Sequence, residues 1–197
     1  MFKVDTVFPN FSLETYNPRK DAVEHAKNAD FAGSWLILFF YPADFTFVCP
    51  TEIMDMNRRA DEFKKTGTEV LVVSTDTVYT HKAWIETEEL LKGLQFKMAA
   101  DHNGRFSREL DIYDEALGMA QRAAFIVDPK GILRAAYIVS DPIGRAAGEI
   151  LRILGALQFV EKNPGKVCPA SWDMGGKTIS PSIKIAGKVH TILGKKD

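Results

Sequence analysis

The chain has 197 residues, of which 46% are hydrophobic and 26% charged, and its formal net charge is -1 at pH 7. This length can bury the core of one domain, and the composition is ordinary for a globular protein. The near-zero net charge gives no electrostatic reason to expect nucleic acid or an anionic membrane as a partner.

The N-terminal segment and the apolar runs predict a cytoplasmic protein. Residues 1–20 contain no uninterrupted apolar region followed by a cleavage site, as a secretory signal would. No stretch approaches the roughly 18 apolar residues that a membrane span requires. We therefore expect a cytoplasmic location and no membrane partner.

The chain contains few cysteines and histidines, the residues that form disulfide frameworks and zinc sites. It has two cysteines, Cys49 and Cys168, and four dispersed histidines, without a Cys-x-x-Cys motif. Two cysteines are too few for a secreted disulfide scaffold, and zinc sites usually have ligands at short spacing. The Gly-x-Gly-x-x-Gly fingerprint of dinucleotide binding is also missing. We expect no metal and no bound nucleotide or flavin.

Apolar runs suited to buried strands alternate with helical patterns along the chain. The segment VDPKGIL predicts a tight turn that joins the last two strands into a hairpin. In chain order, the pattern predicts a strand over 35–41, a helix from Ile53 to Phe63, a strand over 70–74, a helix over 79–92, strands over 94–98, 123–127 and 132–139, and a helix from Ile150 to Val160.

This alternation predicts an α/β protein in which a mixed central sheet is flanked by helices. An N-terminal extension rich in Pro, Asn and Thr precedes the first predicted strand. After residue 160 the chain is rich in Pro, Gly, Ser and Lys and has no sustained periodicity. We therefore predict one domain over residues 1–160 and a C-terminal arm over residues 161–197.

The segment FFYPADFTFVCPTEI, residues 39–53, places Cys49 where a strand gives way to a helix. Thr46 is a candidate N-cap and Pro50 suits a first helical turn, so Cys49 is predicted in or beside that turn. Unpaired N–H groups and the helix dipole would stabilise a thiolate there. Ionisation alone gains at most about 30-fold in reactive species at pH 7, so a fast enzyme needs further groups. The alternative is a cysteine that packs as a small hydrophobe.

The run from Pro42 to Cys49, a Pro-x-x-x-Thr-x-x-Cys pattern, resembles the active-site signature of the peroxiredoxins. The fuller FFYPADFTFVCPTE is similar to their typical two-cysteine branch, of the alkyl hydroperoxide reductase type. The resemblance continues in order through STDTVYTHKAW, QRAAFIVDPKGILRAAYIV, Gly144-Arg145 and GKVCPASW. It runs nearly end to end and implies a thioredoxin-like fold.

The resemblance implies catalytic roles for the matched residues. Cys49, open to a small oxidant, would attack a peroxide oxygen and become a sulfenic acid. Thr46 would hydrogen-bond to the thiolate and to the peroxide. Arg122 would place a fixed charge against the thiolate, and Pro42 would shield the thiolate from water.

Other matched residues would support that centre. Glu52 and Arg145 would orient Arg122, although a surface ion pair would look the same in sequence. Trp84, in THKAW, either lies near the site or packs in the core.

Cys168, which precedes Pro169, lies in the predicted arm. A sulfenic acid condenses with a second thiol, and a mobile arm could deliver one. The residues alone leave open whether that thiol comes from the same chain. The resemblance implies the partner subunit, hence a homodimer, and the dimers of this family often assemble into rings of five.

The resemblance also implies the substrates and the electron donor. The substrates would be hydrogen peroxide and organic hydroperoxides, and thioredoxin or a flavoprotein disulfide reductase would supply the electrons. Two other functions stay open at this point. A holdase chaperone would act independently of Cys49, and a cysteine hydrolase would need a histidine base such as His81 or His102 beside the thiol.

Overall fold

The computed structural model describes residues 2–194, and its contacts separate the chain into two compact units. The first unit ends at Ala147 and the second begins at Gly148. The last three residues of the predicted arm, 195–197, lie outside the described residues.

The first unit is built on a mixed sheet that has seven strands among the described residues. These are β1 Ser12–Asn17, β2 Ala22–Lys27, β3 Trp35–Phe40, β4 Thr68–Ser74, β5 Lys97–Ala100, β8 Arg122–Val127 and β9 Leu133–Val139, and a separate small hairpin contains β6 Tyr113–Asp114 and β7 Met119–Ala120. The strand order in the sheet is β2-β1-β5-β4-β3-β8-β9. The central pairs β3–β4 and β4–β5 are parallel, whereas the β1–β2, β1–β5, β3–β8 and β8–β9 pairs are antiparallel.

Helices connect these strands and continue into the second unit. Short 3-10 turns cover Asn28–Phe31, Glu89–Leu91 and Ile183–Ile185. None of the helices within residues 2–194 combines the length and apolarity needed to cross a bilayer. The α-helices are α1 Cys49–Arg58, α2 Ala60–Lys65, α3 Val78–Thr87, α4 Arg105–Glu109, α5 Ala147–Lys162 and α6 His190–Leu193.

The observed architecture confirms the predicted fold class, a mixed sheet flanked by helices. The hairpin predicted at VDPKGIL is present between β8 and β9, where the Asp128 carboxylate accepts hydrogen bonds from the backbone of Lys130 and Ile132. The strand predicted over 94–98 lies instead at Lys97–Ala100. The helix predicted over 79–92 ends at Thr87, because Glu88 is extended and a 3-10 turn follows.

The predicted N-terminal extension contains two strands that the sequence pattern did not reveal. Strand β1 pairs with both β2 and β5, so it belongs to the main sheet. Its buried residues include the polar side chains of Thr15 and Asn17, which interrupt the apolar alternation expected of a strand. Pairing partners rather than local pattern therefore define this part of the sheet.

A cluster of aromatic rings packs around the middle of the sheet. All six residues of β3 are buried, as expected for a strand covered on both faces. The Phe40 ring contacts those of Phe106 and Phe125, with centroids 5.7 and 5.9 Å apart. This packing fixes the point where the chain leaves β3 and enters the segment that carries Cys49.

Gly104 provides a test of the packing beside the β6–β7 hairpin. It precedes α4 with φ 65°, and a Cβ atom there would collide with the Tyr113 ring. We expect Gly104→Ala to lower the free energy of unfolding by about 2–4 kcal/mol, measured by urea denaturation, since steric overlap adds to backbone strain.

Gly33→Ala is the matched control, because Gly33 has φ 83° and its Cβ would meet nothing within 4 Å. Backbone strain alone should cost about 1 kcal/mol there. Equal losses in the two variants would contradict the predicted collision with Tyr113.

Candidate active site

The segment between β3 and α1 brings Cys49 to the start of the helix. Helix α1 begins at Cys49, with Pro50 in its first turn, as predicted. Thr46 is not the N-cap: Val48 holds that position, and the helix has no side-chain cap bond. The helix starts too far along the chain for Thr46 to cap it, and the Thr46 hydroxyl instead donates to the Ala43 carbonyl at 2.8 Å.

The Cys49 thiol is closed to solvent but has a charged partner. Its residue is 0% exposed, which differs from the expected open thiol. Arg122 Nη1 donates to Cys49 Sγ at 3.1 Å. A cysteine that only filled apolar space would not have a guanidinium at hydrogen-bond distance. Cys49 is therefore buried, as in the interpretation of a packed cysteine, and also has the electrostatic contact expected of a reactive one.

Arg122 is the first residue of β8 and is itself buried. Its Nη1 also donates to Glu52 Oε2 at 2.8 Å, and its Nη2 lies 3.0 Å from Asp141 Oδ1. Burial by itself lowers the pKa of Arg122, but the hydrogen bonds and charges of Cys49 and Glu52 outweigh it and leave the pKa raised. The guanidinium therefore stays positively charged beside the sulfur.

Glu52 and Arg145 form the inner part of the same network. Glu52 follows Cys49 by three residues on α1, so both side chains leave the same face of the helix. The Arg145 backbone N–H and Nε donate to Glu52 Oε1 at 2.8 and 2.9 Å, and Arg145 Nη2 donates to the Phe40 carbonyl. Burial lowers the pKa of Arg145, whereas its hydrogen bond to Glu52 opposes that shift. Both residues are buried, so this is not a surface ion pair.

Pro42 and Trp84 have different surroundings. Pro42 is buried and, with Arg122, lines a cleft. The Trp84 ring is 1% exposed and packs against Tyr41 and Phe45, with centroids 5.8 and 6.2 Å away. Trp84 is thus a core residue that packs against the segment preceding Cys49.

A buried polar network, which the sequence analysis did not predict, anchors the segment between β3 and α1 at the end that follows β3. Asp44 accepts a hydrogen bond from the Tyr41 hydroxyl and lies 2.8 Å from His81 Nδ1. The Asp44 backbone N–H donates to Asp76 Oδ2 at 2.8 Å. Burial raises the pKa of Tyr41 and that of Asp76. Asp44 and Asp76 follow the neighbouring parallel strands β3 and β4, and that placement is the signal that could have predicted their contact.

The surroundings of the histidines bear on the hydrolase alternative. Both ring nitrogens of His81 have partners, Asp44 on Nδ1 and the Ala99 carbonyl on Nε2 at 3.2 Å. His81 is therefore not a base for the Cys49 thiol, and His102 is exposed. Within residues 2–194, no group of three or more His, Cys, Asp or Glu side chains is placed to hold a metal ion.

Cys168 lies in the second unit and is half-buried. Its Sγ is 3.9 Å from the Ala156 carbonyl, and the preceding residue, Val167, forms a backbone bridge with Ile179. Burial raises the pKa of the Cys168 thiol. The thiol is thus set in a short ordered segment rather than in unstructured chain.

Glu52→Gln tests the charge balance of the Cys49 site. Removing the carboxylate charge leaves the Arg122 and Arg145 guanidiniums buried with less compensation. We expect the free energy of unfolding to fall by about 3–5 kcal/mol, measured by urea denaturation, as for other broken buried ion pairs.

Glu62→Gln is the matched control on the surface. Glu62 lies 3.4 Å from Arg59, with the two side chains 54% and 42% exposed. An exposed pair of this kind should contribute less than about 0.5 kcal/mol. Similar losses for both variants would show that burial adds nothing to the Glu52 interactions.

Family comparisons cover both units of the chain. The AhpC/TSA family matches residues 4–136, and the C-terminal domain of 1-Cys peroxiredoxin matches residues 156–186. Alkyl hydroperoxide reductase C of Staphylococcus aureus is 42% identical over 179 residues, which cover 91% of this chain and 95% of that protein.

Solved structures agree with this assignment. The reduced 2-Cys peroxiredoxin of Plasmodium vivax has a TM-score of 0.87 and 32% identity, over 92% of this chain and 94% of that one. AhpC of Enterococcus faecalis has a TM-score of 0.81 and 40% identity, over 86% of this chain and 100% of that one. The thioredoxin-like fold predicted from the resemblance is thereby confirmed, and the chain belongs to the AhpC/TSA family of peroxiredoxins.

Proposed function

We propose that this chain is a thiol peroxidase that reduces hydrogen peroxide and organic hydroperoxides. The observation that carries the proposal is the 3.1 Å contact between Arg122 Nη1 and Cys49 Sγ. A guanidinium at hydrogen-bond distance supplies the opposite charge for a thiolate, which is the form of cysteine that reacts as a nucleophile. The names of the relatives, alkyl hydroperoxide reductase C and 2-Cys peroxiredoxin, support the same chemistry.

In the proposed first step, the Cys49 thiolate attacks the terminal oxygen of the peroxide. An S–O bond forms, the O–O bond breaks, and its electron pair leaves with the second oxygen, which takes a proton to become water or an alcohol. The sulfur is oxidised to a sulfenic acid and the peroxide is reduced. Arg122 stabilises the negative charge that shifts onto the leaving oxygen.

Thr46 and Pro42 have positioning roles in this proposal. The Thr46 hydroxyl proton is used by the Ala43 carbonyl, so the hydroxyl oxygen keeps lone pairs that can accept from the O–H of the peroxide. Pro42 lines the cleft together with Arg122 and keeps water from the thiolate. Glu52 and Arg145 hold Arg122 in place.

In the proposed second step, the sulfenic acid condenses with the Cys168 thiol, which gives a disulfide and releases water. Residues 161–197 act as the arm that carries this resolving cysteine beyond the 1–160 peroxidase domain. We assign the resolving thiol to the second subunit of a homodimer, with five dimers in a ring. Cys49 is closed to solvent, so the segment before it has to move before the two sulfurs can bond.

The disulfide has to be reduced before the next cycle. Thioredoxin or a flavoprotein disulfide reductase is the proposed electron donor, and neither requires a cofactor bound to this chain. A catalytic disulfide that forms and is reduced repeatedly suits the cytoplasm, where thiols are kept reduced.

Non-reducing gel electrophoresis tests the proposed function directly. Reduced wild-type protein should become a covalent dimer after one equivalent of hydrogen peroxide, whereas Cys49→Ser and Cys168→Ser should both remain monomers on the gel. Cys168→Ser should still consume one equivalent of peroxide, because the first step needs only Cys49.

Two results would contradict parts of this proposal. Peroxide consumption by Cys49→Ser at the wild-type rate would remove Cys49 from the mechanism. Disulfide formation within a single chain, seen as a faster-migrating monomer, would overturn the intersubunit assignment while leaving the peroxidase activity intact.

The raised pKa of Cys168 predicts a pH dependence for its reactivity. Because burial disfavours the thiolate, folding lowers the thiolate fraction at any pH below the raised pKa. In the Cys49→Ser variant, alkylation of Cys168 by iodoacetamide should reach half its maximal rate above pH 8.5, roughly the value for free cysteine. The same variant unfolded in urea is the control, and an equal or lower midpoint in the folded protein would contradict the prediction.

A further inference from the structure

We propose that Asp141 and Asp114 make this site selective against negatively charged hydroperoxides, so that neutral ones are its substrates. The inference rests on the proposed peroxidase function and names the two carboxylates as specificity-determining residues. Three observations carry it: the composition of the cleft that Arg122 lines, the pairing of Asp141 with Arg122, and the charge of the whole site.

The cleft beside the catalytic centre has a volume of about 430 Å³ and is lined by Arg122 and Pro42. A substrate that reaches Arg122 from this side has to pass the other cleft walls. Among the described residues that line it, those with full charges are Arg122, Asp114 and Asp141. Most of the remaining wall is apolar and suits an uncharged organic group: Leu117, Met119, Ala120, Ile138 and Val139.

Asp141 occupies one edge of the Arg122 guanidinium with two acceptors. Its main-chain carbonyl accepts from Arg122 Nε, and its carboxylate Oδ1 lies 3.0 Å from Arg122 Nη2. That edge is the one that would otherwise bind a substrate carboxylate through two parallel hydrogen bonds. The Asp141 side chain is 65% exposed, so its charge faces the solvent from which a substrate arrives.

The charges of the reacting site add to this effect. The two guanidiniums of Arg122 and Arg145 are balanced by the carboxylates of Glu52 and Asp141. The reacting thiolate and Asp114 then leave an excess of negative charge along the path of the substrate. A neutral peroxide is not repelled by this negative charge. An anionic peroxide is repelled, because in the cleft it lies within about a Debye length of the carboxylates.

Substitution by asparagine can remove each charge while it keeps the local structure. Asp114 Oδ1 accepts from the backbone of Ala116 and Leu117 at 2.9 and 3.0 Å, which shapes the turn of the β6–β7 hairpin. An asparagine oxygen can accept the same two hydrogen bonds. In Asp141→Asn the main-chain acceptor for Arg122 is unchanged.

The experiment compares two hydroperoxides that differ in charge and by one methyl group, and salt dependence separates the charge effect from the methyl group. These are 4-hydroperoxy-4-methylpentanoate and its methyl ester, with hydrogen peroxide as the reference substrate and dithiothreitol as reductant. For the wild-type protein, kcat/KM should favour the ester by about 5-fold at low salt, a size expected for repulsion between partly solvated charges. Added sodium chloride should raise kcat/KM for the carboxylate and leave that for the ester unchanged, because salt screens the repulsion.

The variants assign the effect to the two residues. The preference for the ester should fall to about 2-fold in Asp141→Asn and in Asp114→Asn, and should disappear in the double variant. The ratio of kcat/KM for the two substrates is compared because a general effect of a substitution on Arg122 changes both values equally and cancels. Asp61→Asn, an exposed change on α2, is the matched control and should keep the wild-type ratio.

The possible failures can be told apart. Equal kcat/KM for ester and carboxylate in a wild-type protein that reduces hydrogen peroxide would overturn the inference alone. A preference that persists unchanged in both variants would also overturn it, because the discrimination would then arise elsewhere. A wild-type protein that reduces none of the three peroxides would overturn the proposed function and this inference together.

Discussion

The structure of the site depends on one constraint: two arginines and a glutamate are buried together against the Cys49 sulfur. Removing such charges from water costs several kcal/mol per ion, and the cost is offset only when the hydrogen bonds are well formed. Groups from several segments supply most of these hydrogen bonds, whereas Arg145 Nη1 is buried without a hydrogen-bond partner and its guanidinium lies over the Phe39 ring. Glu52 comes from α1, Arg122 from β8, the Phe40 carbonyl from β3, and Arg145 from the segment before α5.

This arrangement explains why the sulfur is both buried and reactive in the proposed mechanism. The guanidinium of Arg122 replaces the water that would otherwise solvate a thiolate, and its own position is set by Glu52 and Asp141. A preorganised charge of this kind needs no rearrangement when the transition state forms. In the proposed mechanism a second thiol needs the segment before Cys49 to move, because the Cys49 sulfur is closed to solvent.

The segment before Cys49 lies between two buried networks. At one end Asp44 pairs with Tyr41 and His81, and at the other Cys49 contacts Arg122. Between them Phe45 has φ 56°, a left-handed conformation that is strained for an aromatic residue. The contacts at the two ends of the segment hold Phe45 in this conformation.

Local patterns in the sequence determined β3, β4, the β8–β9 hairpin, and the placement of Cys49 with Pro50 in the first turn of a helix, because periodicity and turn chemistry act over a few residues. They misplaced β5 and did not reveal the short β6–β7 hairpin. The family resemblance implied that Arg122 lies against the Cys49 sulfur, and no local pattern did, since the two residues are 73 positions apart. Tertiary structure alone decided that β1 joins the sheet beside β5 and that the thiol is closed to solvent. Thr46 shows the same limit, since the helix begins too late for the predicted cap. The reason is physical: strand order and long-range pairing fix which distant side chains meet, and no local periodicity encodes that order.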